Sequence, residues 1–147
     1  RVPPGFEQVL VASQPMVVCL PAGHVLAKKR QLDVQALQGQ ALVVVSRAVS
    51  PDYHERILAE CELAGWRPPV VHELRHWLSV VALVAQGQGV ALVPAALAQS
   101  ALAGAAFVPL RDTPLRYDTR CLWRSGREQA ALQDFVATVR ADMAPPG

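Results

Sequence analysis

The chain is poor in aromatics, with 3 Trp, 2 Tyr and 3 Phe among 147 residues, and poor in charge, with 18% Asp, Glu, Lys and Arg. It also lacks any uncharged apolar run near the roughly 20 residues that span a bilayer, which excludes a helical membrane anchor. Basic clustering is scarce: 14 Lys and Arg face 12 Asp and Glu, and only Lys28, Lys29 and Arg30 are adjacent. Duplex DNA binding draws its affinity from many clustered phosphate contacts, so these three read as solvated loop cations. The 3 cysteines, Cys19, Cys61 and Cys121, are odd in number, far apart and set in apolar segments. They exclude a disulfide framework and read as reduced, buried thiols of a cytosolic protein.

Catalytic signatures are missing too. There is no GxSxG elbow, no phosphate-cradling loop with a Lys, no HExxH and no CxxC. Gly87-Gln88-Gly89 follows a helical pattern and precedes a strand, the reverse of a nucleotide fingerprint, and reads as a turn. His72 and His76 straddle a strand end, short of the four ligands of a closed zinc site. Cys19 and His24 could be set as nucleophile and base only if something lowered the thiol's pKa, and nothing near them does. No catalytic residue, metal ligand or cofactor site is expected, and the chain reads as a non-enzyme.

What is present is 52% hydrophobic residues, mostly Ala, Val and Leu, enough for a core. Pro15–Pro21 reads as a buried strand, Val34–Leu37 as a short helix after Asp33, and Ala41–Ser46 as a second strand. Ser50, Pro51 and Asp52 form a helix start, with a capping hydroxyl, Pro at the first position and a carboxylate in the positive first turn. That helix runs to about Ala64, with Ile57, Leu58, Cys61 and Ala64 on one face and Gly65 as its stop. Val70–Leu74 is a strand. A helix from about His76 to Gln86 carries Leu78, Val81, Ala82 and Ala85 at i, i+3, i+4, i+7, and Val90–Val93 is the next strand, closed by Pro94.

This alternation predicts an α/β fold with parallel β-α-β units. Beyond it come a short helix near Ala95–Leu102, strands at Ala106–Leu110 and Tyr117–Trp123, and a final helix. That helix starts at the capping box Ser125-Gly126-Arg127-Glu128 and presents Leu132, Phe135, Val136, Val139 and Met143. Pro145-Pro146-Gly147 reads as a disordered end.

One cluster points to ligand chemistry. Ser46-Arg47-Ala48-Val49-Ser50-Pro51 joins the carboxyl end of a strand to the amino end of a helix, where open α/β sheets bind ligands and free N–H groups face anions. Arg47 adds a bidentate donor for a carboxylate. The plain alternative is that Ser50 is only a cap and Arg47 only a surface cation.

Three segments in this order, MVVCLPAGHVLA, VVVSRAVSPDYHERILAECELAGWRPPVVHEL and LSVVALVAQGQGVALVPAALA, resemble the regulatory domain of LysR-type transcriptional regulators. The match is closest at LPAGHxLA, at SRxxSPxxxxxI with AGWxP after it, and at VAxGxGVALVPAxxA, and it covers about Pro15 to Ala98. The resemblance implies a type 2 periplasmic-binding-protein-like fold: two α/β subdomains joined by two crossing strands, with a small-molecule effector in the cleft. On that template 15–21 and 90–94 are the crossing strands, 22–89 the second subdomain and 95–147 part of the first. The winged helix-turn-helix, linker helix and first β-α-β stretch fall before Arg1. Since Arg1–Gly5 hold no initiator Met or signal region, the start is expected to be a cut inside a longer chain.

The resemblance also implies site residues. Ser46, Arg47, Val49, Ser50 and Pro51 correspond to the effector-facing loop, and Leu74 and Trp77 to the cleft wall, with core packing the equal alternative for Trp77. His24, in the LPAGH turn, takes a structural role. The implied ligand is a small organic acid, aromatic ones included, whose binding shifts the subdomains in a homodimer or tetramer. Promoter DNA would be met only through the missing amino-terminal domain. A solute-binding protein of a transport system shares the architecture and is the alternative from another class.

Overall fold

The computed structural model describes residues 4–100, 102–111, 115–124 and 137–138. The anticipated capping box at 125–128, most of the final helix and the Pro145–Gly147 end lie outside the described residues. The chain divides into two compact units: Pro15–Arg116, and Arg1–Gln14 with Tyr117–Gly147.

In the first of these, three strands end at a proline, at Pro21, Pro94 and Pro109. β1 (Phe6–Pro21) pairs antiparallel with β4 (Ala91–Pro94) and with β5 (Ala105–Pro109), Val18 lying between Leu92 and Val108. β2 (Leu42–Val45) and β3 (Val70–Leu74) form a separate parallel pair, in register from Leu42↔Val70 to Val45↔Leu74 with one irregularity after Leu42. Helix α1 (Pro51–Leu63) links β2 to β3, and α2 (Trp77–Ala85) links β3 to β4.

The parallel β-α-β unit is therefore β2-α1-β3. The expected third parallel strand, β4, instead joins β1 antiparallel, and its backbone link to β2 is the isolated bridge Leu42↔Val90 just before it. Gly89 permits that approach: its φ is +154°, and a Cβ there would stand 2.8 Å from the Ala41 carbonyl oxygen, an impossible contact. β1 also begins earlier than Pro15. Its first half, FEQVLVASQ, is no continuous apolar run, and every residue of it except the buried Val9 is exposed or half-buried.

The core of this unit gathers Val17, Cys19, Val43, Val80, Val81, Val84, Ala91 and Val93. The buried face of α2 is thus Val80, Val81 and Val84, whereas Leu78 is 55% exposed. A helix as uniformly apolar as WLSVVALVA fits several stripes equally, and the packing of β1, β2 and β4 selects one. On α1 the buried face is His54, Ile57 and Cys61. Its end is a Schellman motif: Trp66 N–H donates to Cys61 O (3.1 Å), Gly65 N–H to Glu62 O (2.9 Å), and Gly65 takes φ +94°. The buried Trp66 then donates its indole N–H to Val34 O at 3.3 Å, fastening α1 to the 3-10 turn Val34–Leu37. Another 3-10 segment, Ala95–Gln99, stands where the short helix after Pro94 was expected.

In the other unit, the Ser13 hydroxyl donates to Asp118 Oδ1 at 2.7 Å, and Arg120 Nη2 to Asp118 Oδ2 at 3.2 Å. Asp118 lies on β6 (Arg116–Arg124), which pairs with β1. Ala137 and Thr138 are helical.

Candidate functional site

Parallel pairing sets the carboxyl ends of β2 and β3 side by side, and each strand leads directly into a helix. Val45 lies beside Leu74, and Ser46 N–H donates to Leu74 O at 2.6 Å. Ser46–Pro51 and Leu74–Trp77, separate in sequence, thus share one edge of the β2–β3 pair.

The loop folds on Ser46. Its carbonyl accepts from Val49 N–H (3.1 Å) and Ser50 N–H (2.9 Å), and its hydroxyl oxygen accepts from Ala48 N–H (3.1 Å). Pro51 starts the helix, as its fixed φ favours, and Asp52 adds a carboxylate to the first turn. Ser50 is the cap residue, yet its hydroxyl makes no capping bond. With φ −138° and ψ 74° its backbone departs from the usual cap geometry, and the anticipated side-chain cap is not formed.

Arg47 is exposed but not a bare cation. Its Nη2 stands 2.8 Å from Glu55 Oε1, in an ion pair whose side chains are 61% and 58% exposed. Its backbone N–H points to Glu73 Oε1 at 3.5 Å, a long contact. Val49 and Pro51 are exposed, Ser46 and Ser50 half-buried. Leu74 and Trp77 are half-buried and pack against the Val80–Val84–Val93 core, so both contribute to core packing at this edge.

His54 escaped the sequence reading. It is only 4% exposed, on the inner face of α1, with Nδ1 3.0 Å from Val45 O and 3.8 Å from Glu73 Oε1. A carbonyl only accepts, so Nδ1 carries the hydrogen and donates it. The bond ties the first turn of α1 to the last residue of β2, holding the Ser46–Pro51 loop between two fixed ends. The signal was present: His54, Ile57 and Cys61 are spaced i, i+3, i+7. Glu55 and Glu73 were missed because their roles depend on helix phase and strand register.

The other flagged residues sit elsewhere. His24 caps the turn Val25–Lys28, accepting Leu26 N–H at Nδ1 (3.0 Å), while Nε2 meets Gln40 Oε1 at 3.2 Å. Cys19 is fully buried in β1, and desolvation pushes its pKa up to about 12, which holds it as the thiol at neutral pH. Burial, and secondarily Glu60, raises Cys61 to about 11. The side chain of Cys121 lies outside the described residues. Among the described residues no group of three or more His, Cys, Asp or Glu is placed to hold a metal, and no helix is long and apolar enough to cross a membrane.

Strands and helices in this order, with a helix start at the carboxyl end of each strand of the parallel pair, define a domain of the α/β class. The LysR substrate binding domain family matches residues 1–144, and the chain belongs to that family. It is 29% identical over 136 residues to the HTH-type transcriptional regulator IlvR of Caulobacter vibrioides, covering 92% of this chain and 45% of IlvR. It is 32% identical over 82 residues to the HTH-type transcriptional regulator AlsR of Bacillus subtilis, covering 56% of this chain and 27% of AlsR. The chain spans less than half the length of these relatives.

In three dimensions it matches CbnR, a LysR family transcriptional regulator, with TM-score 0.86 and 20% identity over 99% of this chain and 50% of CbnR. It matches the BenM effector binding domain, solved with its effector benzoate, with TM-score 0.81 and 21% identity over 99% of this chain and 69% of that one. At such identities the likeness establishes the fold, the type 2 periplasmic-binding-protein-like fold of LysR effector-binding domains.

Proposed function

We propose that the chain is the effector-sensing part of a bacterial LysR-type transcriptional regulator, binding a small organic acid at the edge formed by Ser46–Pro51, Leu74 and Trp77. The observation that carries this reading is the convergence of two parallel strand ends and two helix starts on that edge, with Arg47 exposed among them. Benzoate, the effector of the BenM domain, supports an aromatic carboxylate as the first ligand to test.

The ligand acts as a switch by binding one arrangement of the regulator better than another. In the whole protein, a homodimer or tetramer in the cytoplasm, promoter DNA is contacted by a separate amino-terminal domain. The crossing strands are 15–21 and 90–94, with the second subdomain at 22–89 and part of the first at 95–147. The chain itself catalyses no reaction: the buried thiols are held protonated, and the similar proteins are transcriptional regulators. Family membership favours this reading over a transport solute-binding protein.

Calorimetry with benzoate tests the site. Arg47→Ala removes a charge-assisted hydrogen bond of about 1.5–3 kcal/mol, so Kd should rise roughly tenfold to a hundredfold. Ser50→Ala should weaken binding by less. Unchanged affinity in both variants would overturn the site assignment.

A further inference from the structure

The Ser46–Pro51 edge is already occupied by carboxylates of the chain itself. Arg47 is the cation proposed to receive the ligand, and its Nη2 lies 2.8 Å from Glu55 Oε1. The two residues lie on opposite sides of the loop: Arg47 follows β2, and Glu55 stands beyond the first turn of α1. The main chain between them is fixed independently, by the Ser46 carbonyl at one end and the His54–Val45 bond at the other. Glu73 reaches the Arg47 backbone N–H from β3. The guanidinium can therefore exchange partners by side-chain rotation while the loop stays in place.

We infer that Glu55 is an internal competitor for the effector's carboxylate, a latch on Arg47 that the ligand must displace and that sets the threshold concentration for response. The inference rests on the proposed role of Arg47 and adds its regulation. Its chemistry is exchange of one carboxylate for another on the same guanidinium: no covalent bond changes, and Glu55 is released to water. Neutral isosteres such as benzamide lack the charge to displace Glu55 and should not bind at this edge. The latch must be weak to be useful, and its exposure makes it so. Pairs of this kind contribute about 0.2–1 kcal/mol, which limits the latch to about a fivefold effect on Kd.

The test is benzoate titration into the 147-residue chain and its Glu55→Gln, Arg47→Ala, Arg47→Ala/Glu55→Gln and Glu62→Gln variants, at low and high salt. Glu62 pairs with Arg67 at 3.1 Å at the other end of the same helix, so its variant makes the same charge change away from the loop. Glu55→Gln should tighten benzoate about twofold to fivefold at low salt. The gain should shrink in 0.5 M salt, where exposed pairs are screened, and vanish in the Arg47→Ala background. Glu62→Gln should leave Kd unchanged, and the Glu55 carboxyl carbon resonance of the wild type should move as benzoate saturates.

Equal tightening by Glu55→Gln and Glu62→Gln would reduce the effect to net charge and overturn the latch. So would a loss of binding in Arg47→Ala with no gain in Glu55→Gln, an outcome that leaves the site reading intact. Unchanged binding in Arg47→Ala, or no benzoate binding by either wild type or Glu55→Gln, would overturn the site reading and the latch together.

Discussion

Helices α1 and α2 start side by side, each at the carboxyl end of one of two paired strands, yet their beginnings are built from opposite materials. The α1 start is polar and adjustable: Ser46, Arg47, Ser50, Asp52, Glu55 and the neighbouring Glu73 exchange hydrogen bonds and charge near solvent. The α2 start has no acidic residue in its first turn, and Trp77 leans on the valine core. A shared place at the carboxyl end of a strand thus yields one end suited to exchanging partners and one suited to holding the sheet. Function at this edge is expected to divide the same way, with α1 residues controlling affinity and α2 residues stability.

The largest expected effect tests whether α1 is anchored as firmly as α2 beneath its polar start. Ile57 is fully buried on the inner face of α1, and Ile57→Ala should cost about 2–5 kcal/mol in urea unfolding. A cost under 1 kcal/mol would mean that α1 is loosely held and that the loop before it lacks a fixed support.

Next comes Trp77→Ala. A buried Trp costs about 3–5 kcal/mol to truncate, and this one is half-buried, so about 2 kcal/mol is expected, with a smaller loss of benzoate affinity than Arg47→Ala gives. A variant that keeps its stability but loses affinity would move the ring from the core to the ligand wall and break the proposed division of labour.

Alkaline pH compares the ground beneath the two helices. Cys61 lies on the buried face of α1 and Cys19 in the cluster that packs α2, with thiol pKa values raised from 9.0 to about 11 and about 12. Above pH 9 the unfolded chain releases these protons while the folded chain retains them. Linkage then makes stability fall as pH rises, by at most about 1.4 kcal/mol per pH unit per thiol. Below pH 9 the thiols contribute no slope. The Cys61 contribution should level off near pH 11 and that of Cys19 near pH 12. Urea unfolding of the wild type, Cys19→Ala and Cys61→Ala from pH 8 to pH 10 checks this: each variant should lose part of the slope, and slopes identical to the wild type would show wet thiols.

Much of this arrangement was legible in the residues. Strand β4 is a short apolar run closed by Pro94, β2 is one that follows Gly39, β3 follows Pro68-Pro69, and the α1 boundaries follow from Pro51 and Gly65, so the predicted elements match to within about a residue. The first half of β1 was not legible because FEQVLVASQ is neither a continuous apolar run nor a strict apolar/polar alternation. The pairing of β4 was hidden because a buried strand reads alike beside a parallel or an antiparallel neighbour. At the site, the loop and both strand ends were readable from position in the α/β pattern and from the family resemblance. The partners of Arg47 were not: Glu55 and Glu73 lie 8 and 26 residues from it in sequence, and only the fold makes them neighbours.

The smallest effect sharpens the comparison most, because it separates a helix cap from a ligand contact. A side-chain cap contributes about 1 kcal/mol, and its loss is readily seen on unfolding. The Ser50 hydroxyl makes no such bond, whereas the Ser46 hydroxyl accepts Ala48 N–H. Ser50→Ala should therefore change stability by only a few tenths of a kcal/mol, while Ser46→Ala loses a hydrogen bond of about 1 kcal/mol. If Ser50→Ala costs a full 1 kcal/mol, the hydroxyl caps α1 in solution and the plain structural reading of Ser50 prevails. If stability holds while benzoate affinity drops, the hydroxyl left uncommitted by the helix is available to the ligand.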